Sequence, residues 1–386
     1  MTGDNSNPAM GQLLREAAAL PVVPAAAASA YESAIPRLLA AVDAVVLARP
    51  DLDRLRGPLT TKQIHDNHVH HAALMAVTFR YSTYRQLATL LPWVYHSYHQ
   101  HGVDFAYFPV ELGAWHDAVR AQLGQGPAAE ILHVYDWLLA FHQRVQALSA
   151  VASPFATTSG DRRWDSVREQ LTEQLLAGDW RQGLSLLEAS STAADRIGFY
   201  DHALRSAMWE IGRRWEEGTI SVAREHLATA AVARLLSAAP PPAIPDGGRK
   251  GKAVVTATTN EYHQVGAWLV ADALDADGWN VRFLGANTPN QELMALLREE
   301  SPDLLALSVS LPFNLRHAED AIRSARELPE CQGLHVLVGG SAFLGEPDLY
   351  RRLGADAVAW DCRGLVGGAA PWRVRYRSPS SSGYAI

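Results

Sequence analysis

The hydrophobic period of the chain changes once, near residue 250. Beyond that point, apolar runs at about 253–258, 280–284, 303–309, 334–338 and 355–360 are separated by stretches with helical spacing. Short strands alternating with helices are the signature of βαβ units and a parallel sheet. Right-handed crossovers then place helices on both faces. Thr288-Pro289 has the form of an N-cap followed by proline at the first helical position, and Gly278 that of a helix stop. The expectation for residues 250–376 is a doubly wound, flavodoxin-like parallel sheet of five strands in the order 2-1-3-4-5. Its ligand crevice lies outside the carboxyl ends of strands one and three.

Before a proline-rich break, SAAPPPAIPD, the period is that of helices throughout. Over residues 160–240 the segments VREQLTEQLLAG, LSLLEASS, HALRSAMWEIGRRW and VAREHLATAAVARLL predict a small antiparallel four-helix bundle. Gly218 stops the third helix just after Trp215, and Thr219 or Ser221 caps the fourth. Residues 28–155 carry five or six further amphipathic segments and no strand pattern, which predicts an all-α domain. Residues 1–27, rich in alanine with two prolines near its end, are expected to be a flexible lead-in, and residues 377–386 a disordered tail.

Composition narrows the functional classes. A chain of 386 residues with 48% hydrophobic residues supports two or three cores. No run of about eighteen apolar residues and no basic, signal-like start occurs, so neither a membrane span nor an export address is expected. Cys331 and Cys362 are the only cysteines, too few for a disulfide framework or a zinc site, which fits a cytoplasmic protein. A formal charge of −7 speaks against broad nucleic-acid binding.

The candidate chemistry sits where strands end. The loops after strands one, three and four contain NEYHQVG, SVSLPFN and GGSAFLG. They bring Glu261, Tyr262, His263, Gly266, Ser308, Ser310, Gly339 and Gly340 to one crevice. A neutral imidazole is a good metal ligand, and an acidic residue behind it fixes its tautomer and raises its basicity. Each piece alone also occurs in ordinary turns. Their order, each after its strand, is what carries the reading.

Glu261-x-His263-x-x-Gly266, Ser308-x-Ser310 and Gly339-Gly340 resemble the Asp-x-His-x-x-Gly, Ser-x-Leu and Gly-Gly motifs of the cobalamin-binding domain. That domain occurs in methionine synthase, the methylmalonyl-CoA and glutamate mutases, and CarH-type light sensors. The resemblance implies that His263 is the lower axial ligand of cobalt, that the serines line a slot for the nucleotide tail, and that the glycines let backbone approach it. Glutamate in place of aspartate is a departure from the pattern. In the bundle, Trp215-x9-Glu225-His226 is similar to CarH-like photoreceptors, in which these residues surround the adenosyl group above the corrin. The implied cofactor is therefore adenosylcobalamin. Those photoreceptors have a histidine directly after the tryptophan, whereas this chain has Glu216. Any upper ligand formed after light then comes from His226 or from a residue of the N-terminal domain.

Most of the fifteen histidines lie in the N-terminal domain, interleaved with tyrosine and tryptophan. His68 and His71 share a helix face, as do Tyr95 and His99. A pocket lined by imidazoles and rings is geometrically available, with Arg80 and Arg85 to meet acidic groups. A dimerisation domain with surface histidines and a metal site are the other readings of the same residues. The whole architecture resembles the photocobilins, which carry a bilin, biliverdin, in a separate helical domain. That resemblance implies noncovalent biliverdin, since no cysteine lies in this domain, with His68, His71, Arg80, Tyr84, Arg85, Tyr95 and His99 as candidate contacts. The expected function is a light sensor rather than an enzyme, with a light-dependent homo-oligomer and a separate downstream effector. The alternative is a corrinoid carrier that shuttles methyl groups between partner methyltransferases.

Overall fold

In the C-terminal part, the apolar runs at 252–257, 304–308 and 335–339 are almost entirely buried, which dictates a sheet covered on both faces at its centre. The computed structural model describes residues 8–149, 161–190, 192–240 and 250–372. They divide into two compact units. One holds residues 8–149 with the segments 212–221 and 344–346, and the other holds 161–211, 222–343 and 347–372.

The first unit is helical. Its elements are α1 (Pro8–Ala18), α2 (Ala25–Val46), α3 (Leu52–Arg56), α4 (Thr61–Tyr81), α5 (Tyr84–Gln100), α6 (Tyr107–Gln122) and α7 (Gln125–Leu148). A capping box of Thr60 and Gln63 starts α4, and Ser82 in the left-handed region ends it. Helix α2 packs against α4, α6 and α7, while α5 packs against α1 and α7. Tyr31, Leu38, Val42, Ile64, Phe79, Tyr107, Trp115 and Tyr135 form the buried centre. The lead-in expected at residues 1–27 is corrected from Pro8 onward, the part that the described residues cover: α1 buries Leu13 and Ala17, and α2 begins at Ala25. Alanine is the best helix former, and this apolar stripe has a core to enter.

The second unit contains the bundle and the sheet. The bundle comprises α8 (Asp165–Ala177), α9 (Trp180–Glu188), α10 (Ala193–Gly198), α11 (Arg205–Glu216) and α12 (Val222–Ala238). Its third helix is α10 and α11 joined by a π-helical segment, Phe199–Leu204. The last turns of α11 are grouped with the first unit. Gly218, with φ of 67°, ends α11 as expected. The Thr219 hydroxyl is spent on the Arg214 carbonyl at 2.8 Å.

The sheet runs β1 (Lys252–Ala257), α13 (Gln264–Ala276), β2 (Asn280–Phe283), α14 (Asn290–Glu300), β3 (Leu304–Ser308), α15 (Leu315–Arg326), β4 (His335–Gly339), α16 (Leu349–Arg352), β5 (Ala357–Ala359) and α17 (Cys362–Ala369). All neighbours are parallel and the order is β2-β1-β3-β4-β5, as the pattern predicts. Ala257 pairs with Ser308 and Ser308 with Gly339, so the loops after β1, β3 and β4 emerge side by side. Pro289 is itself the N-cap of α14, one residue later than expected. The tail beyond Arg377 lies outside the described residues.

The π segment ties the bundle to the sheet. It aims Asp201, only 3% exposed, at the start of α17, where it accepts from the backbone N–H of Cys362 at 2.8 Å and of Arg363 at 3.0 Å. A carboxylate is favoured at a helix N-terminus. Tyr200 donates to Asp272 on α13 at 2.9 Å, and Arg205 donates to the Trp360 carbonyl at 2.7 Å.

Candidate functional site

The loop after β1 is laced to its neighbours on both sides. Asn260, with φ of 61°, donates its backbone N–H to Asn287 Oδ1 at 2.8 Å. The Asn287 N–H in turn donates to the Glu261 carbonyl at 2.9 Å. Thr259 donates to the Thr288 carbonyl at 2.9 Å, and Asn287 Nδ2 donates to the Tyr262 hydroxyl at 3.2 Å. Left-handed backbone is unusual outside glycine, asparagine and aspartate, and both asparagines supply it while bonding across the gap.

Glu261 is the anchor. It is fully buried, yet each oxygen is satisfied. Oε1 accepts from His263 Nδ1 at 2.6 Å and from the His263 backbone N–H at 3.2 Å. Oε2 accepts from the N–H groups of Ser310 at 2.8 Å and Leu311 at 2.9 Å, and from Asn314 Nδ2 at 3.1 Å. Burial alone would raise its pKa, but the hydrogen bonds from His263, Leu311 and Asn314 outweigh it and hold the carboxyl at about 2. The same hydrogen bond raises the His263 pKa against the opposing effect of burial, with a smaller contribution from Glu225. The longer glutamate therefore reaches the ring without strain in the donor set.

With Nδ1 engaged by Glu261, the lone pair of neutral His263 lies on Nε2, and 60% of the side chain is exposed. Among the described residues no three His, Cys, Asp or Glu side chains gather as a metal cage. A single oriented imidazole suits a metal whose equatorial positions a macrocycle already fills. Around it, a Cβ on Gly266 would stand 3.8 Å from Ser308 Oγ, so Gly266 and Ser308 lie side by side at this edge of the crevice. A Cβ on Gly340, where φ is 109°, would collide with the Val309 carbonyl, and one on Gly339 would come within 2.7 Å of the Ala359 carbonyl. The paired glycines thus serve strand packing directly. Ser310 joins the Glu261 cluster through its backbone N–H, and its carbonyl accepts from Ser341 at 2.8 Å.

On α12, Glu225 accepts from His226 Nδ1 at 2.6 Å and from Thr229 Oγ1 at 2.8 Å, and His226 is 74% exposed. Val222 and Leu227 on this helix and Tyr262 beside His263 are exposed large apolar side chains of the unit. Trp215 belongs to the first unit, where its ring centroid lies 5.3 Å from that of His101.

The seven residues expected to face a bilin do not converge on one cavity. His68 is completely buried, with Nδ1 on Asp43 at 2.6 Å and Nε2 on the Tyr107 hydroxyl at 3.1 Å. Burial drives the His71 pKa down to about 3, and its ring stacks on Trp115. Tyr84 donates to the Pro21 carbonyl, and Tyr95 stacks 3.7 Å from Phe108 with its hydroxyl on His142. Arg80 lies over the Tyr81 ring. His99 lines a cleft of about 690 Å³ with His96, Gln100, Phe105 and Gln143, and Arg85 lines a separate one of about 590 Å³ beside Arg15. Helical spacing tells which residues share a face, but not whether that face meets polar partners in the core.

The histidine loop lies on a doubly wound sheet that is joined to a helical bundle, and both parts match known families. Residues 251–362 match the B12 binding domain family, and residues 167–239 match a second family of the same description. The HTH-type transcriptional repressor CarH of Myxococcus xanthus is 29% identical over 217 residues, 55% of this chain and 70% of CarH. CarA of the same organism is 30% identical over 194 residues, 48% of this chain and 59% of CarA. The dimethylamine corrinoid protein of Methanosarcina barkeri is 22% identical over 202 residues, 51% of this chain and 91% of that protein. The solved monomethylamine corrinoid protein of the same species is 17% identical, with a TM-score of 0.44 over 54% of this chain and 99% of its own. The sheet and the bundle of this chain each match a B12 binding domain family, and over these parts the chain is similar to CarH and CarA.

Proposed function

We propose that the protein is a non-catalytic light sensor that holds adenosylcobalamin through His263 and biliverdin in its helical unit. The observation that supports this most is the exposed Nε2 of His263 on a ring braced by buried Glu261, in a chain whose bundle also carries Trp215-x9-Glu225-His226. Adenosylcobalamin supplies a cobalt–carbon bond that visible light cleaves. His263 would supply the protein ligand to cobalt, while Ser308, Ser310 and Gly266 would border the nucleotide tail. On the sequence spacing, Trp215, Glu225 and His226 enclose the adenosyl side, with the indole as an apolar face and the carboxylate as an acceptor for ribose hydroxyls. His226 is the upper-face imidazole available once that side opens.

The bundle responds as a lever. Its clasp at Asp201, Tyr200 and Arg205 is remote in sequence from the start of α12, so loss of contacts at α12 leaves the clasp as the pivot. A ligand shifts such an equilibrium only by its different affinity for the two positions. The readout is a changed homo-oligomer that a separate effector recognises. With a formal charge of −7 and no helix among the described residues long and apolar enough to cross a membrane, the sensor is taken to work in the cytoplasm without direct nucleic-acid or membrane contact.

Biliverdin in this reading is held without a thioether, by stacking and by contacts to its propionates. In this reading the cleft lined by His96, His99 and Phe105 supplies a ring to stack on and imidazoles to meet the propionates. A second reading is a corrinoid methyl carrier, which the similarity to the dimethylamine corrinoid protein supports. Absorption spectra of protein produced with both cofactors, before and after green light, decide between them. A sensor shows a light-dependent cobalamin spectrum, a change in oligomer size and a protein-bound far-red band that denaturation releases. A cobalamin spectrum unaltered by light removes the sensor reading, and absence of a far-red band removes biliverdin.

A further inference from the structure

We propose that the cleft between α1 and α5 in the helical unit binds an organic acid with an apolar body, its carboxylate held by Arg15 and Arg85. The inference is independent of the cobalamin and biliverdin reading, which puts both cofactors elsewhere.

Most cationic side chains of this unit are spent on carboxylates. Arg49, Arg54, Arg56, Lys62, Arg120 and Arg144 each have one within 3.9 Å. Arg15 and Arg85 have none among the described residues, although the chain is acidic overall, and both line one cleft of about 590 Å³. The carboxylate next in sequence, Glu16, accepts instead from Gln12 at 2.8 Å and from Arg144 at 3.3 Å. Two guanidinium groups on one cleft repel each other, and an anion between them replaces that repulsion by two charge-assisted contacts.

Local structure sets the walls. Arg15 stands in the last turn of α1 with its guanidinium near Gly11, where a Cβ would lie 3.4 Å from Nη1. Arg85 stands in the first turn of α5, which carries no acidic side chain, so the positive end of the helix dipole adds to its charge. Tyr84 beside it donates to the Pro21 carbonyl at 3.1 Å and accepts from the Val23 N–H at 3.2 Å, which ties the start of α5 to the segment leaving α1. Leu13 and Ala17 of α1 enter the core, whereas Leu14 and Ala18, with Ala19 after the helix, line the cleft.

These walls select the ligand. A guanidinium is a planar fork that matches the two oxygens of a carboxylate and stays charged, so recognition depends on the ionised acid. The small apolar side chains leave room for an acyl or aryl body, and the volume is within the range of small-molecule sites. An apolar acid is therefore favoured over a bare anion.

The test titrates the full chain, loaded with cobalamin, with carboxyl-¹³C decanoate, with decanol and with inorganic phosphate. Decanoate is expected to bind at least about tenfold more tightly than decanol, as for contacts to a charged group, and to shift its carboxyl signal. Arg15→Gln and Arg85→Gln together should abolish that advantage, while the melting curve and cobalamin affinity stay as they were. Arg85→Lys, which keeps the charge without the fork, should retain part of it. Equal binding of decanoate by wild type and the double variant overturns the proposal, as does equal binding of decanoate and decanol. Phosphate that binds as well as decanoate shows that the apolar wall takes no part and also overturns it. Decanoate that binds only after Asp4→Asn would assign the arginines to the chain's own first residues, with the same result.

Discussion

Two histidine–carboxylate pairs in this molecule have the same bond length and opposite meanings. His263 Nδ1 lies 2.6 Å from Glu261, and His68 Nδ1 lies 2.6 Å from Asp43. The far nitrogen decides between them. At His263 it belongs to a side chain 60% exposed at the carboxyl end of a parallel sheet. At His68 it is spent on Tyr107 inside a helical core, with the ring fully buried. The first arrangement offers a lone pair to a ligand, whereas the second joins α2, α4 and α6. Nearby His71 and Glu111 follow the second pattern: burial lowers the pKa of the histidine and raises that of the glutamate, so both favour their neutral forms.

The largest expected effect comes from breaking the buried pair. His68→Ala should destabilise the helical unit by about 3 kcal/mol or more, because Asp43 and Tyr107 lose their shared partner inside the core. Faster amide hydrogen exchange in α4 is the measurement, and cobalamin affinity of the folded protein should stay as it was. If α4 protection is unchanged, His68 is free for ligand duty and the contrast collapses.

His263→Ala should do the reverse. Cobalamin affinity is expected to fall by about a hundredfold, the upper range for loss of even an outer partner, with the histidine-bound spectrum gone. Stability of the apoprotein should move by less than about 0.5 kcal/mol, as for an exposed side chain. Titration by absorption and a melting curve check both halves.

Asp201→Asn probes the clasp between bundle and sheet. The amide can accept at one position only and loses the charge at the α17 N-terminus, so about 2 kcal/mol of stability should be lost within that unit. The diagnostic readout is hydrogen exchange at Cys362 and Arg363, whose N–H groups the carboxylate now holds. Exchange equal to wild type would mean that the clasp does not restrain the bundle.

The last test is a pH dependence. The folded pKa of Glu261 is about 2 against an ordinary 4.5, a depressed carboxylate. Its stabilisation is therefore complete above the ordinary value and is lost as pH falls from about 4.5 towards 2. The difference in melting temperature between wild type and Glu261→Gln should accordingly narrow over that range. A difference that is constant with pH would show that the carboxylate is not held in its charged form.

Strand existence, strand order, the bundle and the Glu261-x-His263-x-x-Gly266 loop are all legible in the sequence, because period, turn residues and local spacing are properties of neighbouring positions. The parallel register then follows from buried apolar runs and right-handed crossovers. Side chains that act across the chain are not legible in this way. Asn314 lies in the same SVSLPFN loop as the two motif serines, yet its partners are Asn260 and Glu261, more than fifty residues earlier. Asp201 reaches α17 because a π-helical segment rotates it there, a backbone feature with no period of its own. His68 and His71 share a face, as their spacing says, but only the packing of α2 and α6 against α4 makes that face interior and gives it polar partners. The sequence by itself determined which elements form and where a histidine can present a lone pair, since these depend on local geometry. The tertiary structure alone decided which polar groups are consumed inside the core and which stay available, since that depends on long-range packing and burial.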